Sequence, residues 1–422
     1  MTGLSTLLDD LAWRGLIHHQ TPGLEARLAR GRITGYVGFD PTAPSLQLGN
    51  LVPLMLLAHL QRAGGKPIVV LGGGTGLIGD PSGKEAERPL LEPAQVAANV
   101  ATQRAQFARF LSFGSGASDA MMVDNLDWLA DLKLVEFLRD MGKHFTVGYM
   151  LQKESVKARL EAGISYTEFS YMLLQAYDFL ELFRRHGCEL QLGGSDQWGN
   201  ITAGIELIRR VAGGDAHGLV APLVTTATGA KFGKSEGNAI WLDPALTSPY
   251  QFYQYWINAD DRDVEGYLKG FTFLDRAAIA DLLRQHGAAP GARIPHRALA
   301  HELTARVHGR EAAAGAAEAT RIVFGEEDPT RAAAPIWAVL ARELPSAVLP
   351  AGVSAETPVL DLVARTTLVK SRTEARRQLE QGGIAVNGRK VTDADAAGAP
   401  LAGGYYWVQR GKKASYVFTP AP

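Results

Sequence analysis

Two hydrophobic periods alternate along the first half of the chain. Lys66–Leu71 (KPIVVL) is a continuous apolar run rich in Val and Ile, bounded by Gly64-Gly65 and Gly72-Gly73-Gly74, the signature of a strand buried on both faces. Residues 51–63 before it space their apolar side chains as a helix does, and Tyr36–Phe39 reads as an aromatic strand end running into a Pro-bounded turn. Strand, helix, strand and glycine turn in that order predict an α/β fold with a Rossmann-like, doubly wound parallel sheet. Over 125–182 the period turns helical, as WLADLKLVEFLRDM and TEFSYMLLQAYDFLEL show, and an inserted helical layer is expected. Residues 248–343 are rich in Ala and Arg at helical spacing, whereas 345–358 is a Pro/Ala/Ser/Gly stretch. Beyond it Ser371-Arg372-Thr373-Glu374 forms a capping box, Gly382-Gly383 can close that helix, and Asn387-Gly388 between two apolar alternations predicts a hairpin. The expected organisation is 1–245 as the α/β domain with a helical insertion at about 110–190, 246–344 as a helical domain, 345–357 as a linker and 358–422 as a small α+β module.

Composition narrows the function classes. With 422 residues, 43 Lys and Arg against 44 Asp and Glu, and 46% hydrophobic residues, the chain is neither a disordered polyelectrolyte nor a globally basic DNA-coating protein. Its one cysteine, Cys188, excludes a disulfide framework and a multi-cysteine zinc site. No apolar run reaches the roughly 18 residues of a membrane span. The first residues, MTGLSTLLDDLAW, do not read as a targeting signal, so a cytoplasmic setting is expected. Charge is uneven, however: 355–422 carries ten basic residues against six acidic ones, a basic module on an acidic body, which points toward nucleic acid.

Gly74-Thr75-Gly76-Leu77-Ile78-Gly79 matches the dinucleotide pattern G-x-G-x-x-G, but Pro81 and Pro89 break the helix that pattern requires, so a nicotinamide dehydrogenase is disfavoured. A Walker loop fails because Glu85 follows Gly83-Lys84. Three further segments accompany the glycine turn: YVGFDPTAPSLQLGN (36–50), QLGGSDQWGN (191–200) and KFGKS (231–235). In the helix opened by Ser165-x-x-Glu168, Tyr171, Gln175 and Asp178 fall at i, i+4 and i+7, one face among apolar neighbours. A phenol, an amide and a carboxylate so placed need partners, from an internal network or from a ligand.

In this order the motifs resemble the class I aminoacyl-tRNA synthetases, specifically the bacterial tyrosyl-tRNA synthetases. The resemblance covers nearly the whole chain and includes an S-four-like RNA-binding domain at its end. It implies a two-step ligase that condenses L-tyrosine with ATP and passes the tyrosyl group to the terminal adenosine of tRNA(Tyr). By resemblance, Tyr36 and Asp178 bind the phenolic hydroxyl, and Asp80, Tyr171 and Gln175 the α-ammonium, with Gln191 and Gln197 nearby. Phenylalanine would leave the acceptor at Asp178 unpaired, a selectivity for which enzymes of this family are a standard example. Lys231 and Lys234, supported by Lys84 and Arg88, are expected to meet pyrophosphate charge. Gly38, Asp40, Thr42, Gln47, Asn50, Gly193, Asp196 and Ser235 complete the expected nucleotide and catalytic side. The substrate supplies both nucleophiles, so positioning and charge stabilisation carry the chemistry. Mg²⁺ would arrive with ATP, and neither a tightly bound cofactor nor a protein-held metal is expected.

The family's His-Ile-Gly-His signature stands here as Gln47-Leu48-Gly49-Asn50, two amides that donate hydrogen bonds but cannot become cations. An alternative reading follows, a synthetase-derived RNA-binding protein whose activation is weakened at Gln47. On the RNA side, Arg372, Arg376, Arg377, Arg389 and Lys390, then Lys412-Lys413 and the aromatic Tyr405, Tyr406 and Trp407, suit phosphate contact and RNA shape recognition. The family also implies a homodimer through the inserted helices, with no DNA and no membrane partner.

Overall fold

The computed structural model describes residues 3–82, 90–153, 156–157, 163–229, 232–235, 238–411 and 414–421. Its contacts group the chain into two compact bodies, one built from the residues up to Leu246 with Ala259–Pro295, the other from Thr247–Asn258 with His296–Pro422.

The first body is organised by a six-stranded sheet of β1 (His19–Gln20), β2 (Thr34–Phe39), β3 (Lys66–Leu71), β4 (Met121–Asp124), β5 (Cys188–Gly194) and β6 (His217–Ala221), in the order β1-β6-β5-β2-β3-β4. Pairings among β2 to β6 are parallel, and β1 closes one edge antiparallel. The apolar run of β3 is buried from Pro67 to Leu71, as its lack of alternation requires. Helix α1 is Leu7–Trp13; α2 (Leu51–Arg62) crosses from β2 to β3, and α3 (Pro93–Phe107) follows β3. Between β4 and β5 lies the helical insertion: Leu126–Leu129, Leu134–Asp140, Val147–Leu151 and the long α4 (Tyr166–His186). Ser165 caps α4 by accepting from the Glu168 amide at 3.2 Å, and Gly187 ends it at φ 59°. Helix α5 (Trp198–Ala212) packs on α4 where Gly204 faces Phe179; a Cβ there would lie 2.9 Å from the ring. Phe179, Leu180, Leu182, Leu207 and Ile208 join Tyr36 and Ile68 in one core beneath the sheet.

The helical stretch expected at 246–344 is divided between the two bodies. Arg14, the buried residue that ends α1, explains why Ala259–Pro295 stays with the sheet: its guanidinium donates to the carbonyls of Lys269, Thr272 and Leu274 at 3.0–3.1 Å while pairing with Asp10. Two short strands, β7 (Lys234–Ser235) and β8 (Asn238–Ala239), form an antiparallel ribbon.

In the second body, helices are followed by a five-stranded sheet of β9 (Ser346–Val348), β10 (Ile384–Val386), β11 (Arg389–Lys390), β12 (Tyr406–Arg410) and β13 (Ala414–Thr419), ordered β11-β10-β12-β13-β9. The segment read as a linker therefore supplies a strand, β9, parallel to β13. The predicted helix is α6 (Arg372–Glu380), capped by Ser371, and Gly382 follows it at φ 63°. Asn387 and Gly388 take φ 52° and 80° between β10 and β11, the double positive φ of a two-residue hairpin. The Asn387 side chain locks that turn, donating to the Ala399 carbonyl at 2.8 Å and accepting from the Trp407 amide at 2.8 Å.

Candidate active site

The C-terminal ends of β2, β3 and β5 open into a cavity of about 530 Å³, the place where open parallel sheets bind ligands. It is lined by most of the residues singled out from the sequence. Tyr36 and Gln191 come from β2 and β5, Asp80 from the loop after the glycine turn, and Tyr171, Gln175 and Asp178 from one face of α4. Gly38, Asp40, Thr42, Gln47, Asn50, Gly193, Asp196 and Gln197 also line it.

Asp178 is the deepest carboxylate, 3% exposed. Burial pushes its carboxyl up to about 7, against the pull of two donors: the Trp128 indole at 2.7 Å on Oδ1 and the Asn125 amide at 2.9 Å on Oδ2. Each oxygen keeps acceptor capacity beyond its single partner. Tyr36 is 1% exposed; its hydroxyl has no hydrogen-bond partner among the described residues, and burial with the Asp178 charge raises its pKa well above the ordinary tyrosine value. Gln191 Oε1 is likewise buried without a partner.

A second cluster surrounds Asp80. Its Oδ2 accepts from Gln197 Nε2 at 2.7 Å and its Oδ1 from the Ser82 amide at 2.9 Å. Gln197 Oε1 accepts from Gln175 at 3.2 Å, and Gln175 Oε1 accepts from Asn200 at 2.9 Å, so these amides hold one another in fixed orientation. The Tyr171 hydroxyl donates to Asp40 Oδ2 at 2.9 Å, and Thr75 donates to Asp40 Oδ1 at 2.7 Å. Asn125 closes the chain by donating to Thr75 Oγ1 at 2.9 Å. Tyr171, Asp40, Thr75, Asn125 and Asp178 are thus one connected network.

The glycine turn serves that network. The Gly73 and Gly74 amides donate to Asp124 and Asn125 at 3.1 and 2.8 Å, and an added Cβ at Gly72 would collide with the Asp40 carboxylate. Close carboxylate approach, not a pyrophosphate cradle at a helix start, is why glycine is needed; only a 3₁₀ turn, Thr75–Leu77, follows. Among the described residues the dehydrogenase pattern has no helix to act through.

The segment Gln47-Leu48-Gly49-Asn50 sits at the start of α2, and the backbone N–H of Gln47 donates to Asn50 Oδ1 at 2.9 Å. Gly233 of KFGKS, at φ 77°, packs on Leu48, where a Cβ would lie 3.2 Å from the Leu48 Cβ. Phe232 lines the cavity and stacks on Phe271 at 5.3 Å. Lys234 is exposed on β7, and Ser235 shares that strand. Lys84, Arg88 and Lys231 lie outside the described residues.

In the second body Arg372, Arg376, Arg377, Arg389 and Lys390 are all exposed, Arg372 pairing with Asp361. Two of the three aromatic residues are different, Tyr405 being half-buried. Tyr406 and Trp407 are 1% and 2% exposed, and Trp407 packs against Trp337 at 5.8 Å, so they are core residues and offer no ring to RNA. Lys412 and Lys413 lie outside the described residues. Asn125 and Trp128 were not singled out from the sequence, and Thr75 and Asn200 stood in the glycine turn and QLGGSDQWGN without a role of their own; for Asn125 the local signal is the polar Asp124-Asn125 pair ending an apolar strand at the ligand edge of the sheet.

The family of tRNA synthetases class I (W and Y) matches residues 28–325, and the tyrosine–tRNA ligase SYY-like C-terminal domain matches residues 338–418. The chain belongs to the class I aminoacyl-tRNA synthetases, within them to the tyrosine–tRNA ligase family. It is similar to the tyrosine–tRNA ligase of Anaeromyxobacter dehalogenans, 55% identical over 413 residues, 97% of this chain and 98% of that protein. That of Bacillus caldotenax is 48% identical over 417 residues, 97% of this chain and 99% of its own. Among solved structures, a C-terminally truncated mitochondrial tyrosyl-tRNA synthetase from Aspergillus nidulans aligns with a TM-score of 0.69 at 32% identity, covering 75% of this chain and 94% of that one. The chain is an aminoacyl-tRNA synthetase, with tyrosine–tRNA ligase function.

Proposed function

We propose that the cavity activates L-tyrosine with ATP and that Asp178 selects the amino acid. The observation that carries this reading is a buried carboxylate with unused acceptor capacity beside the unpaired Tyr36 hydroxyl. A phenol entering there donates to Asp178 and accepts from Tyr36, satisfying both; a phenyl ring leaves both desolvated and unpaired. The α-ammonium is taken by Asp80 with Tyr171 and Gln175, whose hydrogen bonds to Asp40, Gln197 and Asn200 fix them beforehand.

So held, the tyrosine carboxylate attacks the α-phosphorus of ATP in line, forming tyrosyl-adenylate and releasing pyrophosphate. Thr42, Gln47, Asn50 and Lys234 are assigned to the phosphates, and so, from the sequence alone, are Lys231, Lys84 and Arg88; Mg²⁺ enters on ATP. Gly38, Asp40, Gly193, Asp196 and Ser235 take the nucleotide side. The terminal ribose hydroxyl of tRNA then attacks the tyrosyl carbonyl and AMP departs. Gln47 and Asn50 supply neutral donors where the family carries histidines, and catalysis there rests on directed hydrogen bonds without added charge. No observation favours the alternative of lapsed activation.

The exposed arginines of α6 and the β10–β11 hairpin contact tRNA phosphates. A homodimer is supported by the insertion, where Leu134, Val135 and Val147 are 72%, 77% and 63% exposed, an apolar surface suited to a second copy. We place the enzyme in the cytoplasm; no described helix is long and apolar enough to cross a membrane. Tyrosine-dependent ATP–pyrophosphate exchange tests the reading. Exchange with tyrosine, and at most a trace with phenylalanine, is expected; equal exchange with both amino acids would refute the assignment of Asp178.

A further inference from the structure

The loop that carries Thr42 and leads into Gln47 is held in an unusual way. It runs from Pro41 to Leu46 and contains two prolines, so it has few amides with which to fold on itself. Helix α3 supplies what the loop lacks. Asn99, Thr102, Gln103 and Gln106 fall at i, i+3, i+4 and i+7, on one face. Asn99 Nδ2 donates to the Pro41 carbonyl at 2.8 Å, Gln103 Nε2 to Ala43 at 2.8 Å and Thr102 Oγ1 to Pro44 at 2.6 Å. Gln106 Oε1 accepts from the Leu46 amide at 2.9 Å, while its Nε2 donates to Ser45 Oγ at 3.0 Å. The helix itself is fixed to the sheet by Phe107, whose ring meets Phe39 of β2 edge-on at 4.9 Å.

Ser45 extends this clasp to the other signature. Its buried hydroxyl also accepts from the Asp243 amide at 3.1 Å. Next to it the Leu242 amide donates to the Leu46 carbonyl at 2.9 Å, Leu48 donates to Ile240 at 3.1 Å, and Ile240 donates to Gly233 of KFGKS at 2.9 Å. One side chain on α3 therefore sits at the junction of the two segments that meet ATP.

We propose that Gln106, acting through Ser45, is a positioning residue for tyrosine activation, holding the Thr42–Asn50 segment and residues 232–235 in register for the transition state. The proposal rests on the reading that both segments act on ATP. Gln106 lies outside the cavity lining; Ser45 is part of it, with its hydroxyl engaged by Gln106 and the Asp243 amide, and the effect of both is on where Thr42, Gln47 and Lys234 stand. Tyrosine selection belongs to α4 and β2, so displacing the clasp should spare it.

The test is steady-state pyrophosphate exchange of the full-length enzyme carrying Gln106→Ala, Gln106→Glu or Ser45→Ala, with thermal melts of each. Gln106→Ala is expected to lower kcat about 10- to 100-fold, the scale of an ångström-sized misplacement, with the tyrosine KM within about twofold of the parent. Gln106→Glu keeps an acceptor for the Leu46 amide and should recover most of the loss. Should Gln106→Ala fail to fold, the smaller Ser45→Ala change decides, with the same split between kcat and KM expected. A folded variant whose kcat stays within about threefold of the parent overturns the proposal, as does a parallel loss of kcat and tyrosine binding. An inactive parent would instead refute the proposed function and this inference with it, whereas an active parent with indifferent variants removes this inference alone.

Discussion

Asp178 gathers its properties from opposing forces. Burial favours the protonated carboxyl, and the Trp128 and Asn125 donors favour the carboxylate, with burial the stronger, leaving it at about 7. In the proposed function the ionised form is the one that accepts the hydrogen bond of the substrate phenol. Below pH 7 the free enzyme holds this site protonated, so the tyrosine KM should rise as pH falls, by up to about tenfold per unit, and level off above 7. A KM flat from pH 5.5 to 8.5 would contradict this. Withdrawing one donor by Trp128→Phe raises the Asp178 pKa further, and the break in the KM profile should move upward by on the order of one unit; a downward move would show that the indole does not act on this carboxylate. The i, i+4, i+7 spacing of Tyr171, Gln175 and Asp178 is written in local sequence, which is why their common face was legible. Asn125 and Trp128 were not, because their partner Asp178 lies some fifty residues away and only the fold brings the segment after β4 beside the middle of α4.

Helices and turns with local chemistry followed their sequence signals. Ser165 and Ser371 cap as their spacing predicts, and Asn387-Gly388 makes its hairpin. What escaped was decided by distant partners. β9 is a fully exposed three-residue strand with no pattern of its own, defined only by pairing with β13. Tyr406 and Trp407 carry no local mark that separates a stacking platform from a core; the indole of Trp337, seventy residues earlier, settles it for Trp407, and the apolar cluster that includes Leu360, Leu379 and Phe418 for Tyr406. The hairpin offers a direct check. Gly388 has φ 80° and stands against Pro329, where a Cβ would collide with the ring. Gly388→Ala should therefore destabilise the second body by about 1–3 kcal/mol, seen as a lower melting transition, while pyrophosphate exchange in the first body persists. An unchanged melt would mean that the turn tolerates a side chain.

Division of labour between the two bodies follows from where the groups lie. All the described residues lining the cavity belong to the sheet-containing body, whereas the exposed arginines of α6 belong to the other. Arg376→Ala with Arg377→Ala should raise the KM for tRNA several-fold and reduce its salt dependence, leaving exchange unchanged; equal loss of both activities would place these arginines elsewhere in the mechanism. Nearly full-length similarity to tyrosine–tRNA ligases fixes the family, and the proposal assigns the choice between tyrosine and phenylalanine to one buried group, Asp178. The decisive measurement is pyrophosphate exchange with tyrosine and with phenylalanine for the parent and for Asp178→Asn. The parent should use tyrosine almost exclusively, and the variant should lose about 10- to 100-fold in kcat/KM for tyrosine, the worth of a hydrogen bond to a charged group, with little change for phenylalanine. A variant that retained the parent's preference would contradict the account.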